Sequence, residues 1–263
     1  MPSNPDRRRK LEKLMPEGSI VTRQWLMEKA SLSKHAVDNL VKSQQLRPLS
    51  KGVYTRGSVS LSWQSIVCTL QSIMNTDYLI GGLTALELKG FSHYIPGSRK
   101  TIIHLYGNDK WPIWVDGLIS EITFVRHRRS ELFATMDPAT SQQCTSKVTW
   151  GGGTQELNIS RPERACLEMM ADVPNQISFE HAEQLFQGMT TLSPRTLQRL
   201  LEDCTSIKTK RLFLWFATRN RHSWLAKIIP ERIDLGSGNR VIAENGELDK
   251  TYQITVPKQS QNA

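Results

Sequence analysis

The stretch Thr22-Arg23-Gln24-Trp25-Leu26-Met27-Glu28-Lys29-Ala30-Ser31-Leu32-Ser33-Lys34-His35-Ala36-Val37-Asp38-Asn39-Leu40-Val41-Lys42, continued by Leu46-Arg47-Pro48-Leu49-Ser50-Lys51-Gly52-Val53-Tyr54-Thr55-Arg56, decides the fold of the first part of the chain. Thr22 caps a first short helix that buries Trp25, Leu26 and Ala30, and Ser33 caps a second. In the second helix Ala36, Val37, Leu40 and Val41 fall at i, i+1, i+4 and i+5 and share one face. Gly52 permits a tight turn between Leu46–Ser50 and a strand resuming at Val53 and Tyr54. Helix, turn, helix and basic hairpin are the outline of a winged helix-turn-helix, which places the second helix in the major groove of DNA.

From the side of that helix opposite its apolar face project His35, Asn39 and Lys42, with Asp38 beside them, Lys34 in the first turn and Ser33 at the cap. Asn reads adenine bidentately, and Lys and His serve guanine or phosphate. Arg47, Lys51 and Arg56 flank the wing turn and would hold the DNA backbone.

Charge supports a polyanionic partner because it is uneven. Residues 1–56 carry 12 Lys+Arg against 5 Asp+Glu, residues 57–189 carry 10 against 13, and residues 190–232 carry 9 against 3. The surplus therefore sits in two blocks, where cations at phosphates release counterions. The second block contains Arg195, Arg199, Lys208, Lys210, Arg211, Arg219 and Arg221. Arg195 and Arg199 share a helix face at i, i+4, and Lys208, Lys210 and Arg211 cluster at the next helix start. These five are candidate secondary phosphate contacts, set against the plainer reading of a solvated helix face.

The basic N-terminus is not followed by an apolar run, and no 18-residue apolar stretch occurs, so the expectation is a cytoplasmic protein with no membrane partner. Four widely spaced cysteines, with no C-x-x-C pair, read as buried free thiols rather than a zinc site or a disulfide framework.

Beyond a boundary near Gly57-Ser58 the pattern is mixed. A helix over residues 6–15 precedes the winged segment. Trp63 to Met74 reads as a helix, Gly81-Gly82 opens another from Leu83 to Lys89, and Thr101–Tyr106 and Leu118–Arg126 read as strands. Val148–Trp150, Gly151-Gly152-Gly153 and Leu157–Ile159 read as a hairpin. Ser160-x-x-Glu163 has the form of a capping box, Phe179–Gln187 is helical, and Ser193-Pro194 supplies a cap and an N1 proline. Lys208 to Arg219, with Leu212-Phe213-Leu214-Trp215-Phe216, reads as the central helix of this part. Strands are expected at Arg232–Leu235, Arg240–Ala243 and Tyr252–Val256, with a turn at Asn245-Gly246 and a polar tail after Pro257. The fold class is thus α+β: a winged helix-turn-helix over residues 1–57 and a larger mixed α/β C-terminal domain over residues 58–263.

Enzyme signatures are absent. There is no H-E-x-x-H, G-x-S-x-G or phosphate loop, and the histidines at 35, 93, 104, 127, 181 and 222 lack ligand spacing. Asp109-Lys110 and Glu247-Leu248-Asp249-Lys250 superficially resemble nuclease motifs, but the latter follows an Asn-Gly turn, where a solvated turn is the better reading. No catalytic residue, metal or cofactor is expected.

Ser160-Arg161-Pro162-Glu163-Arg164-Ala165-Cys166-Leu167-Glu168-Met169 resembles the s-x-x-E-R-A helix start of AbiEi-type antitoxins. Lys208-Thr209-Lys210-Arg211-Leu212-Phe213-Leu214 resembles the K-x-K-R-L-F-L helix of the same family. Ile233-Asp234-Leu235-Gly236 and Tyr252-Gln253-Ile254-Thr255-Val256-Pro257 look like its closing strands. The resemblance implies an antitoxin of an abortive-infection, phage-defence toxin–antitoxin pair whose toxin is a nucleotidyltransferase. It also implies autorepression through the winged domain, on double-stranded promoter DNA with inverted repeats, and neutralisation that needs the C-terminal domain without stable toxin contact. The competing expectations are an antitoxin that binds its toxin directly, and a nuclease or toxin-modifying enzyme with a winged targeting domain.

Overall fold

The computed structural model describes residues 11–57, 61–91, 100–150 and 155–258. A helical turn over residues 11–14 leads to β1 (Ile20–Thr22), α1 (Arg23–Glu28), α2 (Lys34–Lys42), β2 (Leu46–Ser50) and β3 (Val53–Arg56). The three strands form an antiparallel sheet in the order β1-β3-β2. This is the winged helix-turn-helix read from the sequence; the part of its first helix before Leu11 lies outside the described residues. Thr22 and Ser33 cap α1 and α2 by accepting the amides of Trp25 and Ala36. Gly52 adopts φ +75°, and its carbonyl accepts the Arg23 amide at 2.8 Å, tying the wing turn to the start of α1. Leu11, Met15, Val21, Leu26, Ala30, Val37, Leu46 and Tyr54 make the small core of this domain.

The larger domain is built on a five-stranded mixed sheet in the order β6-β5-β4-β8-β7. Its strands are β4 (Leu79–Ile80), β5 (Thr101–Tyr106), β6 (Ile122–His127), β7 (Thr145–Trp150) and β8 (Gln155–Ser160). The β5–β6 and β4–β8 pairs are parallel, while β4–β5 and β7–β8 are antiparallel. Around it run α3 (Trp63–Cys68), α4 (Gly82–Leu88), α5 (Ser130–Phe133), α6 (Pro138–Gln143), α7 (Pro162–Asp172), α8 (Phe179–Gln187), α9 (Pro194–Asp203) and α10 (Ile207–Arg219). A hairpin of β9 (Glu247–Asp249) and β10 (Ile254–Val256) closes the chain. The two domains pack directly: Ile20 and Val53 join the larger core, the Ile20 amide donates to Thr69 Oγ1 at 2.9 Å, and Gln155 Nε2 donates to the Glu17 carbonyl at 2.8 Å.

Several local expectations change. The helix from Trp63 continues as a π-helical turn over Thr69–Ile73. The Ser160/Glu163 capping box does not form: Ser160 ends β8, Arg161 is the N-cap with Pro162 behind it, and Glu163 Oε1 instead accepts the Ser193 amide at 2.8 Å, 30 residues on. Leu118–Glu121 precedes rather than belongs to β6. No strand forms at Arg232–Leu235, where Pro230–Arg232 is a 3-10 turn. Arg240 makes only an isolated bridge to Ile254. Glu247–Asp249, read as a solvated turn, is β9, paired with β10 after a turn in which Asn245 takes φ +56°. His93 and Gly151-Gly152-Gly153 lie outside the described residues.

Candidate nucleic-acid interface

Val37 is wholly buried and Ala36, Leu40 and Val41 are half-buried, so α2 is fixed to its domain by one face. Ser33, Lys34, His35, Asn39 and Lys42 are all exposed. At about 100° per residue, positions 34, 38, 42, 35 and 39 span an arc of about 140° on the other side. The polar groups therefore leave the helix together, in the form a groove-reading helix needs.

Asp38 sits within that arc and would repel phosphate if left charged and alone. Arg23 Nη2 donates to its Oδ1 at 2.6 Å and to Tyr54 Oη at 2.7 Å, and the guanidinium also lies over the Tyr54 ring. The Arg23 hydrogen bond holds the Asp38 carboxyl below the usual carboxylate range, and the Asp38 partner raises the Arg23 guanidinium in turn. No local sequence pattern marks Arg23. In the structure it clamps α1, α2 and β3 and neutralises the one acid on the exposed face of α2.

On the wing, Lys51 is exposed at the turn and Arg47 is exposed on β2. Arg56 is placed differently, at the far end of β3. Its Nη1 donates to the Met15 carbonyl at 3.1 Å and its Nη2 lies 3.4 Å from Glu12 Oε1, so it ties the segment before β1 to the sheet. Lys110, from the larger domain, lines the same cleft as Lys51, a neighbourhood that no sequence pattern announced.

The second basic block divides. Arg195 and Arg199 are exposed on α9, and Arg199 is engaged with Gln143 Oε1 at 3.1 Å and Thr140 Oγ1 at 2.7 Å. Lys208 is half-buried and donates to the Ala171 carbonyl at 3.0 Å. Lys210 and Arg211 are buried. Arg211 donates to the carbonyls of Leu235 (2.7 Å), Gly238 (2.6 Å) and Gln253 (3.1 Å), which pins the C-terminal segment to α10. Burial takes Lys210 and Arg211 out of reach of a phosphate, and the Arg211 charge faces protein carbonyls rather than solvent.

The larger domain also gathers a buried polar cluster. His104 on β5, His127 on β6 and Asp172 at the end of α7 converge, with His104 Nδ1 at 3.0 Å from His127 Nε2. Asp172 lies 3.5 Å from His104 Nδ1 through Oδ2 and 3.7 Å from His127 Nδ1 through Oδ1. The Tyr106 ring stacks on His127 at 4.3 Å. Burial lowers His104 and His127 to pKa values of about 4, and raises Asp172 to about 7. At neutral pH both imidazoles are therefore uncharged, and the contacts with Asp172 are not ion pairs. Beside this cluster, the buried Glu168 accepts Arg164 Nε at 2.7 Å and the Gly82 amide at 3.0 Å.

Two family models match the chain. One, described as the N-terminal domain of the AbiEi antitoxin transcriptional regulator, covers residues 6–96. The other, described as a transcriptional regulator, AbiEi antitoxin, of a type IV toxin–antitoxin system, covers residues 100–257. Among solved structures, the fold is similar to that of the RV2827C protein from Mycobacterium tuberculosis, with a TM-score of 0.53 at 17% identity over 90% of this chain and 85% of that one. No curated protein matches the chain by sequence. Among the described residues, no helix is long and apolar enough to cross a membrane.

Proposed function

The chain belongs to the AbiEi antitoxin family of transcriptional regulators from type IV toxin–antitoxin systems, and we propose that it represses its own promoter and neutralises a nucleotidyltransferase toxin encoded with it. The observation that carries the DNA-binding half is the exposed polar arc of α2. It lies beside a basic wing, and its only acid is neutralised by Arg23. In this reading α2 enters the major groove, with Lys34, His35, Asn39 and Lys42 at bases or adjacent phosphates and Ser33 at the backbone. Arg47 and Lys51 hold the backbone from the wing. Two copies on inverted repeats would place their α2 helices about one helical turn, or a multiple, apart. Arg195 and Arg199 remain candidates for an outer phosphate contact, as does Lys110 beside the wing. Arg56 serves the domain internally.

The antitoxin half rests on family membership and assigns the larger domain a role in neutralisation rather than catalysis. A reporter fused to the chain's own promoter, read beside survival of cells expressing the neighbouring toxin gene, tests both halves. Repression lost on Asn39→Ala with rescue retained is the expected separation. Full repression by a chain lacking residues 1–57 contradicts the assignment of DNA reading to the winged domain. Co-purification of the toxin with the chain would replace neutralisation at a distance with direct binding.

A further inference from the structure

We propose that His104, His127 and Asp172 form a binding site for one divalent transition-metal ion of the zinc class, with a coordination position open towards solvent. Each residue offers one ligand atom, and these atoms lie within 4.8 Å of one another. The His104 Nδ1–His127 Nε2 separation of 3.0 Å is close to the edge of about 3.3 Å expected between nitrogens around a tetrahedral ion with bonds of about 2.0–2.1 Å. Two imidazoles and one carboxylate are a donor set suited to zinc and its neighbours and poorly suited to magnesium or calcium, which take oxygen ligands.

The cluster is also incompletely satisfied as it stands. Asp172 Oδ2 is buried and makes no hydrogen bond among the described residues, and the Tyr106 hydroxyl is in the same condition. Buried polar atoms are overwhelmingly paired, and an unpaired one calls for a water or an ion. The backbone sets the placement firmly. Tyr106 and His127 are register partners on the parallel β5–β6 pair, so His104 lies diagonally across from His127, and α7 brings Asp172 over both. Of the three ligands, His127 also lines a cleft of about 610 Å³ together with Asn108, Asp109, Arg126 and Arg128, so in this proposal the ion and a further water or anion ligand would enter from the His127 side.

The test uses the untagged full chain stripped with a chelator. Zinc is titrated by calorimetry, and cobalt by its visible absorption, whose intensity reports low-coordinate geometry. One equivalent of metal is expected, with a tetrahedral or five-coordinate cobalt spectrum and a higher Tm in the presence of zinc. Asp172→Asn and His127→Ala should each weaken binding at least about tenfold, while His181→Ala, away from the cluster, binds as the parent does. Absence of stoichiometric zinc and cobalt binding by the parent chain overturns the proposal, and so does binding that survives both ligand substitutions. Should the ligand variants fail to fold, the parent titration and its cobalt spectrum alone decide.

Discussion

Replacing Arg211 by Met separates a structural cation from a DNA contact. Its guanidinium makes three hydrogen bonds to the carbonyls of Leu235, Gly238 and Gln253. Bonds from a charged donor contribute about 1.5–3 kcal/mol each. Against this stands the cost of holding the charge out of water, which in real proteins is several kcal/mol. The three carbonyls lie in two segments, at Leu235–Gly238 and at Gln253, both with exposed residues, so water partly replaces the lost donor. The balance is a loss of about 3 kcal/mol, or roughly 6–12 °C in Tm for a chain of this size. Differential scanning fluorimetry measures the shift, and salt-titrated anisotropy on promoter DNA measures binding by the folded variant. The expected result is a lower Tm with an unchanged salt slope, while the exposed Arg195→Ala leaves Tm nearly unmoved. An Arg211→Met variant with parental Tm and a salt slope about one unit flatter would refute the reasoning and return Arg211 to the DNA surface.

Asn39→Ala should relax base preference at one operator position at a cost of about 1–3 kcal/mol there, read by binding to duplexes substituted one base pair at a time; equal losses at all positions would make Asn39 a backbone contact. Gly81→Ala should destabilise by about 1–3 kcal/mol, because a Cβ would collide with the Glu168 carboxylate and the Tyr106 ring; urea unfolding with a parental midpoint contradicts that packing. In metal-stripped protein, His104 and His127 take up protons later in the fold than in the unfolded chain, so stability falls as pH drops from about 6.5 to about 4. Asp172 acts in the opposite sense, holding a proton in the fold that the unfolded chain releases from pH 3.8 upward. Two imidazole protons against one carboxyl proton leave a net slope of at most about 1.4 kcal/mol per pH unit. Urea midpoints of the parent and His127→Gln across this range should converge towards acid pH, and parallel curves refute it.

What was legible in the sequence was mostly what neighbours decide. The caps at Thr22, Ser33 and Ser193 bond to amides three residues on, so the pattern and the bond lie in the same short window. The face of α2 follows from helical period and needed no tertiary knowledge. Ser160 and Glu163 carry the right spacing for a capping box, yet Glu163 is claimed by Ser193, a partner 30 residues away. Arg211 read as surface charge because its three acceptors lie 24 to 42 residues further along. Arg56 looked like wing because it is near Lys51 in sequence, whereas antiparallel pairing carries it to the opposite end of β3. His104, His127 and Asp172 are separated by 23 and 45 residues and meet only through parallel strand pairing and the placement of α7. No spacing rule of metal sites would have joined them.

The most direct test of DNA reading by α2 and the wing is salt-titrated fluorescence anisotropy on a duplex spanning the chain's own promoter, with the parent, Lys51→Ala and Asn39→Ala side by side. Lys51→Ala should weaken binding nearly evenly across sequences and flatten the dependence of log K on log salt by about one unit. Asn39→Ala should leave that slope unchanged and narrow the gap between promoter and unrelated DNA. Promoter affinity and salt slope unchanged by both substitutions would contradict the account, and DNA reading would have to lie elsewhere on the chain.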